Sequence, residues 1–273
     1  MGLIAINEER CTKCGICIQS CPALIIGTDN NKIPVIVPDK EKNCIYCGHC
    51  ESVCPQDALT HSLSEKAMAP ITDEPASIDP QLLGKYFRNR RSIRNYQSKP
   101  VDRSILEEIM DVVRYSPTGT NSQMNQWVIV YDNKIVQQLA AGTIEWMKAV
   151  SKANPAMAGG YNFPALVHSF EQGSDRICRN APHLIISYTS AKYSIGMKDA
   201  TIAASHLELL LPSYGLGACW AGFLFMAFQY APDMKKIIGL DESHTIHASL
   251  MVGYPKYKYF KAPVRNKPDI KWI

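Results

Sequence analysis

Cys11-Thr12-Lys13-Cys14-Gly15-Ile16-Cys17-Ile18-Gln19-Ser20-Cys21-Pro22 is echoed further along the chain by Cys44-Ile45-Tyr46-Cys47-Gly48-His49-Cys50-Glu51-Ser52-Val53-Cys54-Pro55. Three cysteines at three-residue intervals on a tight loop converge on three corners of one cubane. The fourth, followed by proline, points across a pseudo-twofold axis to the other cubane. The pattern therefore predicts two [4Fe–4S] clusters with crossed ligands. Cys11, Cys14, Cys17 and Cys54 hold one cluster, and Cys44, Cys47, Cys50 and Cys21 hold the other. Proline after each fourth cysteine turns the chain away at a fixed φ. Small or apolar neighbours such as Gly15, Ile16, Ile18, Ala23, Ile45 and Val53 form a shell that limits water.

Zinc is the competing ligand, but structural zinc takes paired C-x₂-C hooks, and three evenly spaced cysteines plus a fourth do not divide that way. Disulfides suit a secreted chain. The N-terminus Met1-Gly2-Leu3-Ile4-Ala5-Ile6 lacks a basic region followed by a long apolar stretch, so a cytoplasmic location is expected. Residues 1–63 resemble the two-cluster bacterial-type ferredoxin family.

Eight of the ten cysteines lie between Cys11 and Cys54, leaving a long remainder of the 273 residues to account for. With 46% hydrophobic and 20% charged residues the chain can bury a real core. A net charge of +4 without like-charge runs gives no footprint for nucleic acid or membrane. The most apolar window, His206 to Phe228, is interrupted by Glu208, Pro212 and three glycines, and reads as a buried helix, a loop and a strand rather than a membrane span.

Residues 64–77 show no hydrophobic period and read as a linker. From 78 to 273 helices alternate with apolar strands, an α+β arrangement on a mixed sheet. Amphipathic spacing predicts helices over 79–90, with Leu82, Leu83 and Phe87, and over 102–115, with Ile105, Ile109, Val112 and Val113. Trp127–Tyr131, His183–Tyr188 and Thr245–Val252 read as strands, and Asp199–Leu211 as a buried helix.

Arg88-Asn89-Arg90-Arg91-Ser92-Ile93-Arg94 offers guanidinium forks able to surround a phosphate. Pro117-Thr118-Gly119-Thr120-Asn121-Ser122-Gln123 is dense in hydrogen-bonding groups. In order, Arg90-Arg91-Ser92-Ile93-Arg94, the Pro117–Gln123 loop with Trp127, Ala181-Pro182-His183-Leu184-Ile185, Gly215-Leu216-Gly217-Ala218-Cys219-Trp220-Ala221-Gly222 and Gly253-Tyr254-Pro255 with Arg265 form a set that resembles the nitroreductase family. The whole chain resembles a ferredoxin–nitroreductase fusion.

That resemblance implies an FMN-binding homodimer with each flavin at the subunit interface. It implies that Arg90, Arg91, Ser92, Arg94 and Arg265 surround the FMN phosphate and the pyrimidine side of the ring. Pro117, Thr118, Gly119 and Asn121 would come from the second subunit, and Trp220, Ala221 and Gly222 would lie along one ring face. The other face is left for an electrophilic acceptor: a nitroaromatic, a quinone or an activated alkene. Electrons are expected to pass from a donor such as ferredoxin through the clusters to the flavin. The alternatives are an electron-transfer protein serving a protein partner, and an NAD(P)H-dependent enzyme with accessory clusters. Residues 143–174, with Trp146, Met147, Met157, Tyr161, Phe163 and Phe170, read either as a helical excursion packing on the dimer or as a lid; Tyr161 is a candidate proton donor. Gly215-x-Gly217 follows a helix and lacks a third glycine, so it is not a dinucleotide fingerprint. His49 lies between two cluster ligands as a spectator or a tuning group. Cys178 and Cys219 read as buried packing residues, with a redox role for Cys219 as the alternative.

Overall fold

The computed structural model describes residues 2–63 and 78–273, so the linker expected at 64–77 lies outside the described residues. The chain divides into two compact units, an N-terminal one that also takes in Thr120–Ser122 and one running from Ile78 to Ile273.

In the first unit, β1 (Ile4–Ile6) leads to α1 (Ile16–Gln19), β2 (Ile26–Thr28), β3 (Pro34–Ile36), α2 (His49–Ser52) and β4 (Leu59–His61). β1 pairs antiparallel with β4, and β2 with β3. The sequence repeat is also a backbone repeat. Left-handed φ recurs at matching places: 58° at Lys13 and 52° at Tyr46, 72° at both Gly15 and Gly48, 53° at Leu24 and 47° at Asp57. Glycine immediately before each short helix meets that requirement without a Cβ penalty. Leu3, Ile25, Ile26 and Leu59 close the core around Cys17, Cys21 and Cys50.

The second unit runs α3 (Pro80–Asn89), α4 (Arg103–Val113), β5 (Gln126–Val130), α5 (Asn133–Ala153), α6 (Pro155–Gly160), α7 (Phe163–Glu171), β6 (His183–Ser190), α8 (Gly196–Leu210), β7 (Gly217–Trp220), α9 (Gly222–Tyr230), α10 (Asp233–Lys236) and β8 (His244–Gly253). Strand order is β5-β6-β8-β7. The α+β class expected from the sequence holds. The sheet differs from the mixed one expected, because each of its pairings is antiparallel. The reason is topological: β6 and β7 run in the same direction about α8, but β8 inserts between them and pairs antiparallel with both.

Alternation along β6 sends Leu184 and Ile186 to one face and Ile185 to the other. On the first face they meet Leu139 and Met147 of α5, Phe163 of α7 and Leu224 and Phe228 of α9. On the second face Leu106 and Ile109 of α4 pack with Ala203, Ala204 and Leu207 of α8, whose small side chains admit the sheet closely.

The apolar stripes of α3 and α4 are not wholly buried. In α3, Leu82, Leu83 and Phe87 are exposed, and none of the helix's residues is buried. In α4, Ile109 and Val113 are buried whereas Val112 is exposed. The apolar stripe is real, but it lines an open groove of about 770 Å³ with Val112, His206 and Leu209 instead of entering the core. The 143–174 segment is helical and mostly core: Trp146, Met147 and Phe163 are buried in their own chain, and Tyr161 is half exposed.

Candidate functional site

The eight N-terminal cysteines are all free thiols ringing two small cavities. One cavity is lined by Cys11, Cys14, Cys17 and Cys54, with Ile6 and Leu59 behind. The other is lined by Cys21, Cys44, Cys47 and Cys50, with Ile4 and His61 behind. Each cavity thus draws three thiols from one motif and the fourth from the other. Among the described residues no three of His, Cys, Asp and Glu converge closely enough for a single metal ion. Backbone amides already point at sulfur: Tyr46 N–H donates to Cys44 Sγ at 3.4 Å and Ala58 N–H to Cys54 Sγ at 3.2 Å. Burial raises the Cys17 and Cys44 thiols and pushes Cys50 up to about 11, whereas the Ile16 amide lowers Cys14. A cationic iron centre is what favours thiolates at such buried positions.

His61 is a tuning candidate that the sequence reading did not single out. It is 2% exposed, and its Nδ1 accepts from Leu63 N–H at 3.1 Å. That fixes the proton on Nε2, which faces Cys44 Sγ at 3.6 Å. His49, by contrast, makes no recorded side-chain hydrogen bond among the described residues.

In the second unit the arginine stretch is pinned between its charges. Ile93 N–H donates to Ala218 O at 2.8 Å, and the buried Tyr96 hydroxyl donates to Ile93 O at 2.7 Å and Met251 O at 3.2 Å. Arg90 Nη1 lies 2.7 Å from Glu208 Oε1, and Trp220 Nε1 donates to Glu208 Oε2 at 3.2 Å. Arg91 Nε is buried without a hydrogen-bond partner, and its guanidinium sits 5.5 Å from the Tyr259 ring centre. Arg94, Trp220, Ala221 and Gly222 line a cavity of about 380 Å³.

Ser92 is half-buried beside these residues, and Arg265 is exposed on the extended C-terminal stretch. Neither lines that cavity, and neither do Arg90, Arg91 or Pro117 to Asn121. The Pro117–Gln123 loop is held from within: Gly119 N–H donates to the buried Asp199 carboxylate at 3.1 Å, and Thr118 Oγ1 accepts from Gln123 N–H at 3.0 Å. Tyr193 OH donates to the other Asp199 oxygen at 2.6 Å. Asn121, grouped with the first unit, spends its amide on the carbonyls of Ile45 at 3.1 Å and Tyr46 at 3.0 Å.

Residues 87–254 match the family model described as the nitroreductase family. The chain belongs to that family. Residues 10–59 match a 4Fe-4S dicluster domain, so the two modules are joined in one chain. A Methanothermobacter thermautotrophicus protein provisionally named NADH dehydrogenase/NAD(P)H nitroreductase is 21% identical over 174 residues, 62% of this chain and 75% of that protein. The provisionally named NAD(P)H nitroreductase YfhC of Bacillus subtilis is 21% identical over 64% of this chain and 84% of its own length. Among solved structures, a nitroreductase with bound FMN from Desulfitobacterium hafniense aligns with TM-score 0.57 and 21% identity, covering 72% of this chain and all of that one. A nitroreductase with bound FMN from Bacteroides fragilis aligns with TM-score 0.56 and 19% identity over the same shares. At these identities the structures establish the fold.

The nitroreductase unit also holds residues that sequence reasoning missed. Arg176 and Arg179 line the same cavity as Trp220. They follow Asp175, whose carboxylate accepts N–H bonds from Ile177, Cys178 and Asn180 at 2.8–2.9 Å. Burial lowers Arg179, and the neighbouring Arg94 charge lowers it further. Cys219 is buried, and burial raises its thiol against the pull of Arg94 and Arg179. That favours the packing reading of Cys219 over a thiolate redox role. No motif marks Arg179, and none marks Glu208, whose partner Arg90 is distant in sequence.

Among the described residues no helix is long and apolar enough to cross a membrane.

Proposed function

We propose that this nitroreductase-family chain is an FMN-dependent oxidoreductase. It takes electrons from an external donor such as ferredoxin through two [4Fe–4S] clusters and delivers them to an electrophilic small molecule. The observation that carries this reading is the pair of four-thiol cavities in the same chain as an arginine-walled nitroreductase cavity. The clusters supply one-electron transfer and FMN a hydride equivalent at N5.

The chain's own residues then have distinct tasks. Cys11, Cys14, Cys17 and Cys54 ligate one cluster, and Cys44, Cys47, Cys50 and Cys21 the other, with the Tyr46 and Ala58 amides neutralising sulfur charge. The orphaned Arg91 Nε fits an anionic phosphate oxygen, and Ser92, Arg94 and Arg265 complete that end. Arg90 is held by Glu208 at a fixed distance and favours negative charge on the pyrimidine side. Trp220, Ala221 and Gly222 wall one ring face, and the cavity before them leaves room for the acceptor.

A homodimer accounts for the uncovered apolar surface: Leu82, Leu83 and Phe87 at the groove, and Phe260, Val264 and Trp272 on the C-terminal stretch. In that assembly Pro117, Thr118 and Gly119 reach the second copy's flavin. Asn121 is left out of this set because its amide is already committed. Eight cysteines spaced for iron rather than for disulfides support a reducing compartment such as the cytoplasm.

A second reading has NAD(P)H as direct donor, and the names of the relatives favour it. Anaerobic purification with iron, sulfide and flavin assays tests the cofactor set. About eight irons and one FMN per chain support it; zinc without flavin overturns it.

A further inference from the structure

The cavity of the nitroreductase unit carries more positive charge than a flavin phosphate end requires. Beyond Arg94, its wall holds Arg176 and Arg179 from the loop before β6. Among the described residues neither of the two makes an ion pair. The nearest acid in sequence, Asp175, is committed to three backbone N–H groups in the turn that carries both arginines to the cavity wall. The turn holds Arg179 at φ 57° and Asn180 at φ 51°, a left-handed pair that side chains adopt reluctantly. The same wall includes Tyr161, Phe223 and Met226. Basic forks and aromatic, apolar side chains lining one cavity suit a planar molecule with a carboxylate.

We propose that Arg176 and Arg179 form a carboxylate subsite for the acceptor, so that the enzyme selects anionic electrophiles such as aromatic or α,β-unsaturated carboxylates over neutral ones. This rests on the functional reading above, and it adds the substrate class. Arg176 and Arg179 are specificity residues; the reducing chemistry does not pass through them.

The test uses the full-length protein with its cofactors. Binding of benzoate and benzamide, two dead-end ligands of equal shape and different charge, is measured by calorimetry for wild type, Arg176→Gln and Arg179→Gln. Turnover of 4-nitrobenzoate and 4-nitrobenzamide is measured in parallel. The expected result is that wild type prefers benzoate and that each variant reduces the benzoate-to-benzamide affinity ratio by about 10-fold, with the same change in the kcat/KM ratio. FMN content is assayed in every sample. An unchanged ratio in both variants overturns the proposal, as does loss of FMN from both, which makes the arginines flavin ligands. Calorimetry needs no turnover, so a protein that bound benzoate selectively but held no flavin would refute the oxidoreductase reading and leave the carboxylate subsite standing.

Discussion

Arg90 and Trp220 meet on one carboxylate: Arg90 Nη1 is 2.7 Å from Oε1 of Glu208, and Trp220 Nε1 is 3.2 Å from Oε2. Residues far apart in sequence, from the arginine stretch and the β7 end, are thereby fixed to the same point of α8. Glu208→Ala strips both of their partner and leaves a half-buried guanidinium uncompensated. The expected outcome is a loss of about 1–3 kcal/mol of stability and FMN binding weakened by about 10-fold. Glu208→Gln, which keeps one acceptor oxygen for one of the two donors, should lose less. Flavin fluorescence titration and thermal denaturation check both numbers.

His61 should set the two clusters apart. Its Nε2 proton faces Cys44 Sγ at 3.6 Å, whereas Ile6 and Leu59 stand behind the other cavity. A hydrogen bond to a ligand sulfur stabilises the reduced, more negative cluster. His61→Leu is expected to lower the potential of the Cys21/Cys44/Cys47/Cys50 cluster by tens of millivolts, on the order of the range such bonds tune, and to spare the other. Potentiometry followed by electron paramagnetic resonance resolves the two. Equal shifts at both would remove His61 from this role.

Asp199 is 3% exposed and receives Gly119 N–H and Tyr193 OH. Asp199→Ala removes the acceptor that Gly119 N–H and Tyr193 OH share under the Pro117–Gln123 loop. A cost of about 1–3 kcal/mol is expected, read as a lowered Tm. Tyr193→Phe should cost less than Asp199→Ala, because it removes a donor and leaves the acceptor bound to Gly119.

The buried His183 and the half-buried His247 give the nitroreductase unit an acid limit. Burial lowers His183, whose Nε2 accepts from Val101 N–H at 2.9 Å, and His247, whose Nδ1 is buried without a hydrogen-bond partner. Both are lowered from an unfolded value of 6.5, so the unfolded chain binds their protons first. The stability they contribute is complete above about 6.5 and is lost as pH falls from there through the lower folded values. Tm should therefore drop between pH 7 and pH 5, and His247→Gln should flatten the drop. A Tm that rises on acidification contradicts this.

What could be read from the sequence followed from periodicity and spacing. The cysteine repeat needs only local geometry, and the crossed lining of the two cavities follows from residues already paired in the motifs. The β6 and β8 strands announced themselves as apolar runs, and α3 as an amphipathic helix. The sequence could not say that α3's stripe stays open to solvent, because amphipathicity records an apolar face and not what covers it. Nor could it place β8 between β6 and β7, a choice made by long-range pairing. Glu208 looked like an interruption in an apolar window until the fold set it between Arg90 and Trp220. Arg176 and Arg179 had no motif, and only the turn around Asp175 directs them to the cavity.

The central claim is that the eight-cysteine module feeds the flavin of its own chain. Anaerobic rapid mixing of the oxidised holoprotein with reduced ferredoxin, and separately with NADPH, tests it most directly. Bleaching of the cluster absorbance before that of the flavin, with ferredoxin as the faster donor, is the result this account predicts. Direct reduction of the flavin by NADPH while the clusters stay oxidised would contradict it.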